Sequence, residues 1–432
     1  MRFDTLDAWL AWLERLHPHS IELGLERVRR VAEALGLGAA LPCPVVTVAG
    51  TNGKGSSVAL LESILSAAGY RVAAYTSPHL LRYNERVRIG AREASDAELC
   101  QAFDRVDRAR GAVSLTYFEF GTLAAFDHFA RARPDVAVLE VGMGGRLDAV
   151  NLLDCDVALV TSIGIDHVDW LGHDREAIGA EKAGIFRRGR PAVCSDPAPP
   201  RSLTAAAADR GALLHLPGRD FGWSAADSAA GAWTWWGGGV RCDGLPPPAL
   251  AGRFQYHNAA GVLMALRLLD GRLEVPRAAV EEGLRRVSLP GRFQRLLVDG
   301  VPCILDVAHN PDGTEALART LADEPVPGRT RAVAAILGDK DIDGMISSLA
   351  DVVDDWYVAD LPVERAAPVE RLRDSIAVRA QAEARIGADA QAAFRAAVSA
   401  ALPGDRVVVF GSFHTVGAVL RALRGGVAGA SS

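Results

Sequence analysis

Residues 49–57 read AGTNGKGSS and begin on the last residue of the β-branched run VVTVA. Glycines let such a loop wrap an anion, and successive backbone N–H groups plus a following helix N-terminus supply partial positive charge. Asn52, Gly53, Lys54, Gly55 and Ser56 are therefore a candidate phosphate cradle, with Lys54 long enough to reach terminal phosphates. The usual loop carries Ser or Thr directly after its Lys; here Gly55 takes that place and Ser56 follows. Other apolar runs also end in residues that could do chemistry. TSPHL presents Ser77 and His79, VAVLE ends in Glu140, and GIDHVDW presents Asp166 and His167. Mg²⁺ is a hard ion that keeps several waters, so one carboxylate, a hydroxyl and phosphate oxygens suit it. Ser77 and Glu140 fit that description. His167 is a softer donor than this ion normally takes, and by residue type alone a structural, hydrogen-bonded role fits it better. In GAEKAGI, Glu181 and Lys182 read by type as a solvated charge pair at a helix end.

Such residues act together only if the fold brings them to one edge. In open α/β sheets ligands gather outside the carboxyl ends of the strands. Apolar runs at 45–49, 72–75, 136–142 and 157–163 alternate with helical spacing such as SVALLESILSAAG, which stops at Gly69. That alternation predicts a mostly parallel sheet covered on both faces. Residues 195–248, rich in Ala, Gly, Pro and Trp, are expected to be strands and loops on its far side. Pro and Gly break the pattern near 288–294, and the alternation restarts at 303–308, 332–337, 356–359 and 407–413. The domains expected are 1–290 and 291–432, and the closing GGVAGASS is expected to fray.

Composition bounds the function. The 432 residues are 49% hydrophobic and 23% charged, ordinary for a globular enzyme. A net charge of −6 forces no basic face, which argues against a nucleic-acid partner. The first residues carry acids and no long apolar core, and no run approaches the roughly 20 apolar residues of a membrane span. The six cysteines are scattered without a CxxC pair, as buried thiols in a reducing compartment would be. A soluble cytoplasmic protein is expected.

Ten segments, in order, carry a resemblance: AGTNGKGSS, TSPHLLRYNERVRI, LTYFEFGT, LEVGMGGRLDAVN, IDHVDWLG, EKAGIF, QYHNAA, PGRFQ, DVAHNPDG and FGSFHTVG. Together they span nearly the whole chain and resemble the Mur ligases, specifically the bacterial bifunctional dihydrofolate synthase/folylpolyglutamate synthases. The implied fold class is α/β: an N-terminal P-loop ATPase-type domain with a mostly parallel sheet, and a smaller Rossmann-like α/β domain. The resemblance implies that Asn52 to Ser56, Asn258, Arg292 and Asp306 bind ATP, with Lys54, Lys182 and His309 catalytic. It implies Ser77, Glu140 and His167 as ligands of Mg²⁺, as two ions, and Lys182 as a lysine carried as its carbamate. Thr116, Tyr117, Phe118 and Glu119, with Leu147, Asp148 and Ala149, correspond to the pterin site. Met143 stands where many relatives have Leu, a swap of similar volume.

The activity so implied is ATP-dependent addition of L-glutamate to 7,8-dihydropteroate and to reduced folates through an acyl phosphate, by a monomer. A monofunctional folylpolyglutamate synthase is the first alternative and another Mur-type amide ligase the second. TSPHL and LTYFEF favour the folate branch over the latter. A switch or motor ATPase would need a water-positioning residue and a partner surface, in place of metal ligands at strand ends.

Overall fold

The run VVTVA forms β1 (Val45–Ala49), and all five residues are buried, as a strand covered on both faces requires. In this computed structural model, which describes residues 1–225 and 231–428, the chain divides into two units. Unit 1 comprises Met1–Ala249 with Gln255–Ser288, and unit 2 comprises Leu250–Phe254 with Leu289–Ser432.

Unit 1 is built on an eight-stranded sheet. Its strands are β1, β2 (Val72–Tyr75), β3 (Val87–Ile89), β4 (Arg92–Glu93), β5 (Val136–Glu140), β6 (Val157–Val160), β7 (Pro191–Cys194) and β8 (Leu213–His215), in the order β4-β3-β2-β5-β1-β6-β7-β8. Only the β2–β3 and β3–β4 pairings are antiparallel. The register sets Val48 beside Glu140 and Ala49 beside Val160, so the segments following β1, β5 and β6 leave the sheet side by side. That edge positions the chemistry.

A separate antiparallel sheet, β9 (Phe221–Ala225), β10 (Trp233–Gly237) and β11 (Val240–Leu245), falls within the loosely predicted stretch. Its tryptophans brace the helix Phe254–Leu268. Trp223 stacks on Tyr256 at 4.9 Å, Trp233 meets the same ring edge-on, and Trp235 Nε1 donates to Ala260 O at 3.1 Å.

Unit 2 has a six-stranded sheet of β12 (Gln294–Val298), β13 (Val301–Leu305), β14 (Thr330–Ala334), β15 (Asp355–Val358), β16 (Ala384–Ile386) and β17 (Arg406–Phe410), in the order β12-β13-β17-β14-β15-β16. Every pairing but β12–β13 is parallel. Several strands stop before the sequence pattern does. Val141, Val307, Ala335 and Ile336 lie beyond strand ends yet are buried, so their apolar character extends the pattern into loops. The helix Phe413–Ala428 runs on into the tail expected to fray, and residues 429–432 lie outside the described residues. Among the described residues, no helix is long and apolar enough to cross a membrane.

Candidate active site

The loop after β1 enters the helix Lys54–Ala67 through Gly53, whose φ of +90° favours glycine. A Cβ there would also lie 2.6 Å from Asn258 Oδ1. Asn258, expected at the nucleotide, is thus packed on the candidate phosphate cradle. The loop is tied to the end of β6: Thr161 Oγ1 and Ser162 Oγ both donate to Asn52 O, at 2.7 and 3.0 Å. Lys54 Nζ donates to Gly50 O and Thr51 O at 2.9 and 3.1 Å, so its ammonium lies over the cradle it would serve. Ser56 is buried in the first turn of the helix, one residue after Gly55.

Glu140 ends β5 and is 4% exposed, and its Oε2 accepts from Ser77 N at 3.2 Å. His167 follows β6 with φ +52° and ψ +43°, a left-handed conformation that costs a residue other than Gly about 1–2 kcal/mol. Strain of this kind is retained where surrounding structure demands it, commonly at ligand sites. The Glu140 carboxylate and the Ser77 segment, brought together at the ends of neighbouring parallel strands, offer the oxygen donors that fit a hard divalent cation retaining waters, while His167 follows β6 at the same sheet edge.

Lys182 departs from its reading as half of a solvated pair. Successive residues of the helix Arg175–Lys182 point about 100° apart. Glu181 faces outward and pairs with Arg146 at 2.8 Å, whereas Lys182 is 2% exposed and has no hydrogen bond or ion pair among the described residues. Burial, aided by the positive charge of Lys54, pulls its pKa down to about 7, against the opposing pull of Asp166 and Asp148. Asp148 is itself raised to about 7 by burial, despite hydrogen bonds from the N–H groups of Met143, Val150 and Gly142 and the nearby Lys54. Lys54, Asp148, Asp166 and Lys182 therefore share one electrostatic environment. Sequence spacing alone concealed this, because they come from three strand-end segments and a helix.

The segment LTYFEF begins the helix Tyr117–Ala132. Thr116 caps it: Thr116 Oγ1 accepts from Glu119 N at 3.3 Å, and Glu119 Oε2 accepts from Thr116 N at 2.8 Å. Glu119 also pairs with Arg27 at 2.9 Å. Both side chains are thus committed to placing the helix, which leaves Tyr117 and Phe118, each half-buried, as the faces a flat ligand could meet. Phe118 lies against Gly142, where a Cβ would come within 2.5 Å of its ring, and 6.2 Å from Tyr75. Leu147 is half-buried and its carbonyl accepts from Gly24 N at 3.3 Å; Ala149 is buried in the core, a packing position. Tyr117 also has Arg86 over its ring at 5.6 Å, a neighbour not singled out from sequence. Gln255 was likewise missed; it is buried between Ser56 and Asn258.

Unit 2 carries a second cluster. Asp306 accepts from Phe293 N at 2.7 Å and Ala308 N at 2.8 Å, and burial raises its pKa against the pull of Arg292. His309 Nδ1 lies 2.9 Å from Val307 O, the geometry of an Nδ1–H donor that leaves Nε2 as the other ring nitrogen. Arg292 stacks on Phe413 at 5.2 Å. This grouping of cation, carboxyl and imidazole is suited to an anionic ligand.

Comparison with known proteins adds to this geometry. Residues 48–197 match the Mur ligase middle domain, and residues 291–413 match the Mur ligase glutamate ligase domain. The dihydrofolate synthase/folylpolyglutamate synthase of Escherichia coli (strain K12) is 45% identical over 97% of this chain and 95% of its own length. The structure of E. coli FolC in complex with DHPP and ADP superposes with a TM-score of 0.92 at 45% identity, covering 98% of each chain. A bifunctional folylpolyglutamate synthase/dihydrofolate synthase with Mn, AMPPNP and L-glutamate bound gives 0.89 at 46% identity, also over 98% of each.

Proposed function

The chain belongs to the bifunctional dihydrofolate synthase/folylpolyglutamate synthase family of Mur ligases, and on that premise we propose that it joins L-glutamate to dihydropteroate and to reduced folates at the expense of ATP. The observation on this chain that carries the reading is the convergence at one sheet edge. Loop 50–56, Glu140 bonded to Ser77, and the buried Lys182 under the influence of Lys54 and Asp148 meet there. The relatives' bound nucleotide, manganese, DHPP and L-glutamate support the same substrate set.

A carboxylate does not react with an amine at neutral pH, so the reaction needs a leaving group. Transfer of the ATP γ-phosphoryl to the carboxylate of the pterin substrate gives an acyl phosphate and ADP. The neutral amino group of glutamate then attacks the acyl carbon, and the tetrahedral intermediate collapses to the amide, releasing phosphate and the amine's proton. The residues' contribution is positioning and charge neutralisation. We assign Asn52 to Ser56 and Asn258 to the ATP phosphates and nucleotide, with Lys54 on the terminal phosphate. Arg292, Asp306 and His309 are the nucleotide-directed positions of unit 2. Ser77, Glu140 and His167 would hold Mg²⁺, which when bound would offset phosphate charge. Lys182 is assigned as the carbamate: a pKa of about 7 leaves a substantial neutral fraction, the form that attacks CO₂. Phe118 and Tyr117 are assigned to the pterin.

The test is phosphate release from ATP with Mg²⁺ and L-glutamate, comparing dihydropteroate, tetrahydrofolate and no pterin. Release with both pterins is the expected result. Release with tetrahydrofolate alone identifies a monofunctional polyglutamate synthase, and release with neither overturns the ligase reading. For the aromatic wall, Phe118→Ala is expected to raise the KM for dihydropteroate about tenfold, the size of a lost aromatic stack. The KM for ATP should not move. An unchanged dihydropteroate KM would remove Phe118 from the pterin site.

A further inference from the structure

Gln255 is 1% exposed in the first turn of the helix Phe254–Leu268, and both ends of its amide are engaged. Its Nε2 donates to Ser56 Oγ at 3.3 Å, and its Oε1 accepts from Asn258 Nδ2 at 2.9 Å. A buried amide whose four hydrogen-bonding directions are partly committed has a fixed orientation, since turning it over would set donor against donor at Asn258. Two consequences follow from that orientation. Ser56 accepts from Gln255, so its own proton is directed to a different acceptor. Asn258 spends its NH₂ on Gln255, so its carbonyl oxygen is the end left against the loop, beside Gly53.

We infer that Gln255 is a positioning residue for nucleotide use: its amide makes the Ser56 hydroxyl a donor toward a phosphate oxygen and locks Asn258 against the phosphate loop. This explains how the loop works with Gly55 where a hydroxyl usually stands. The hydroxyl has moved one residue along the helix, and a side chain from a distant helix sets its direction. The inference rests on reading residues 50–56 as the phosphate loop.

The experiment uses the full chain and compares Gln255→Met, Gln255→Glu, Ser56→Ala and the double variant Gln255→Met/Ser56→Ala. Readouts are the KM for ATP, the KM for the pterin, the calorimetric Kd for ADP, and the nucleotide-free unfolding midpoint. Gln255→Met is expected to raise the ATP KM and ADP Kd about tenfold, as loss of a charge-assisted hydrogen bond does, with the pterin KM unchanged. A KM does not depend on the fraction of protein folded, so partial destabilisation would not mimic this split. Because Gln255 acts through Ser56, the double variant should be about as impaired as the worse single one, a non-additivity that unrelated sites do not show. Gln255→Glu should be worse than Gln255→Met, because a carboxylate captures the Ser56 proton and repels phosphate. Near-parental ATP KM in Gln255→Met, or effects that simply multiply in the double variant, would overturn the inference. If Lys54→Met also left ADP affinity and ATP KM unchanged, the loop reading itself would fall; an effect there with none at Gln255 removes only the clamp.

Discussion

Lys182→Ala is expected to lower turnover about a thousandfold, roughly 4 kcal/mol of transition-state stabilisation, while leaving the fold intact. The expected fall is large because the side chain is buried, without a direct ion pair among the described residues, in the same environment as Lys54, Asp148 and Asp166. An ordinary lysine is neutral in only a few molecules per ten thousand at pH 7, whereas a pKa of about 7 makes roughly half of them neutral. The sign of the pH dependence follows. The pKa is lowered in the folded chain, so the amine that takes up CO₂ is present above pH 7 and is lost as the pH falls through it. Turnover and carbamate, read by ¹³C labelling with bicarbonate, should therefore decline together on the acid side. The identity of the charge can be tested by substitution as well. Lys182→Glu should keep more activity than Lys182→Arg if an anion is needed; the reverse order, or near-normal turnover in Lys182→Ala, would rule out the carbamate.

Lys54→Met is expected to reduce kcat/KM for ATP about a hundredfold to a thousandfold, as removal of a preorganised charge from a phosphoryl-transfer site does. The helix N-terminus and loop backbone remain, so ADP should still bind, though more weakly. A second effect separates this residue from a mere anchor. Lys54 helps to hold the Lys182 pKa down, so its removal lets that pKa rise. The acid limb of the rate profile should then move to higher pH, and carbamate should appear later in a titration. A variant with lower ATP affinity but an unmoved pH limb would show that the two lysines are not coupled.

Much of this site is legible in the sequence because its parts follow strands whose apolar runs are unmistakable. VVTVA and VAAY mark β1 and β2 to the residue, and the register sets the end of β5, at Glu140, and the segment after β6 beside loop 50–56. Strand ends are less legible, since buried loops such as Val307 and Ile336 carry the same residue types as strands. Lys182 misleads for a geometric reason: residue type says charged and solvated, and only the helical turn separating it from Glu181 buries it. Thr116 and Glu119 form a Thr-x-x-Glu capping pattern that is readable in sequence, but their place in an aromatic segment drew attention to ligand contact. Gln255 was invisible because an amide at the start of a helix usually faces water, and nothing local says that Ser56, nearly two hundred positions earlier, closes over it.

The close fit of Gly53 against Asn258 also limits how this protein can vary. No L-amino acid enters position 53 without meeting both an unfavourable backbone and the Asn258 amide. Shortening residue 258 would clear the space but leave the backbone penalty for any L-residue at position 53. Replacing Gly53 is thus expected to be costly whatever stands at position 258, whereas position 258 meets neither penalty while Gly53 stays. For anyone redesigning its nucleotide preference, position 53 is a fixed pivot, and freedom begins only outside it.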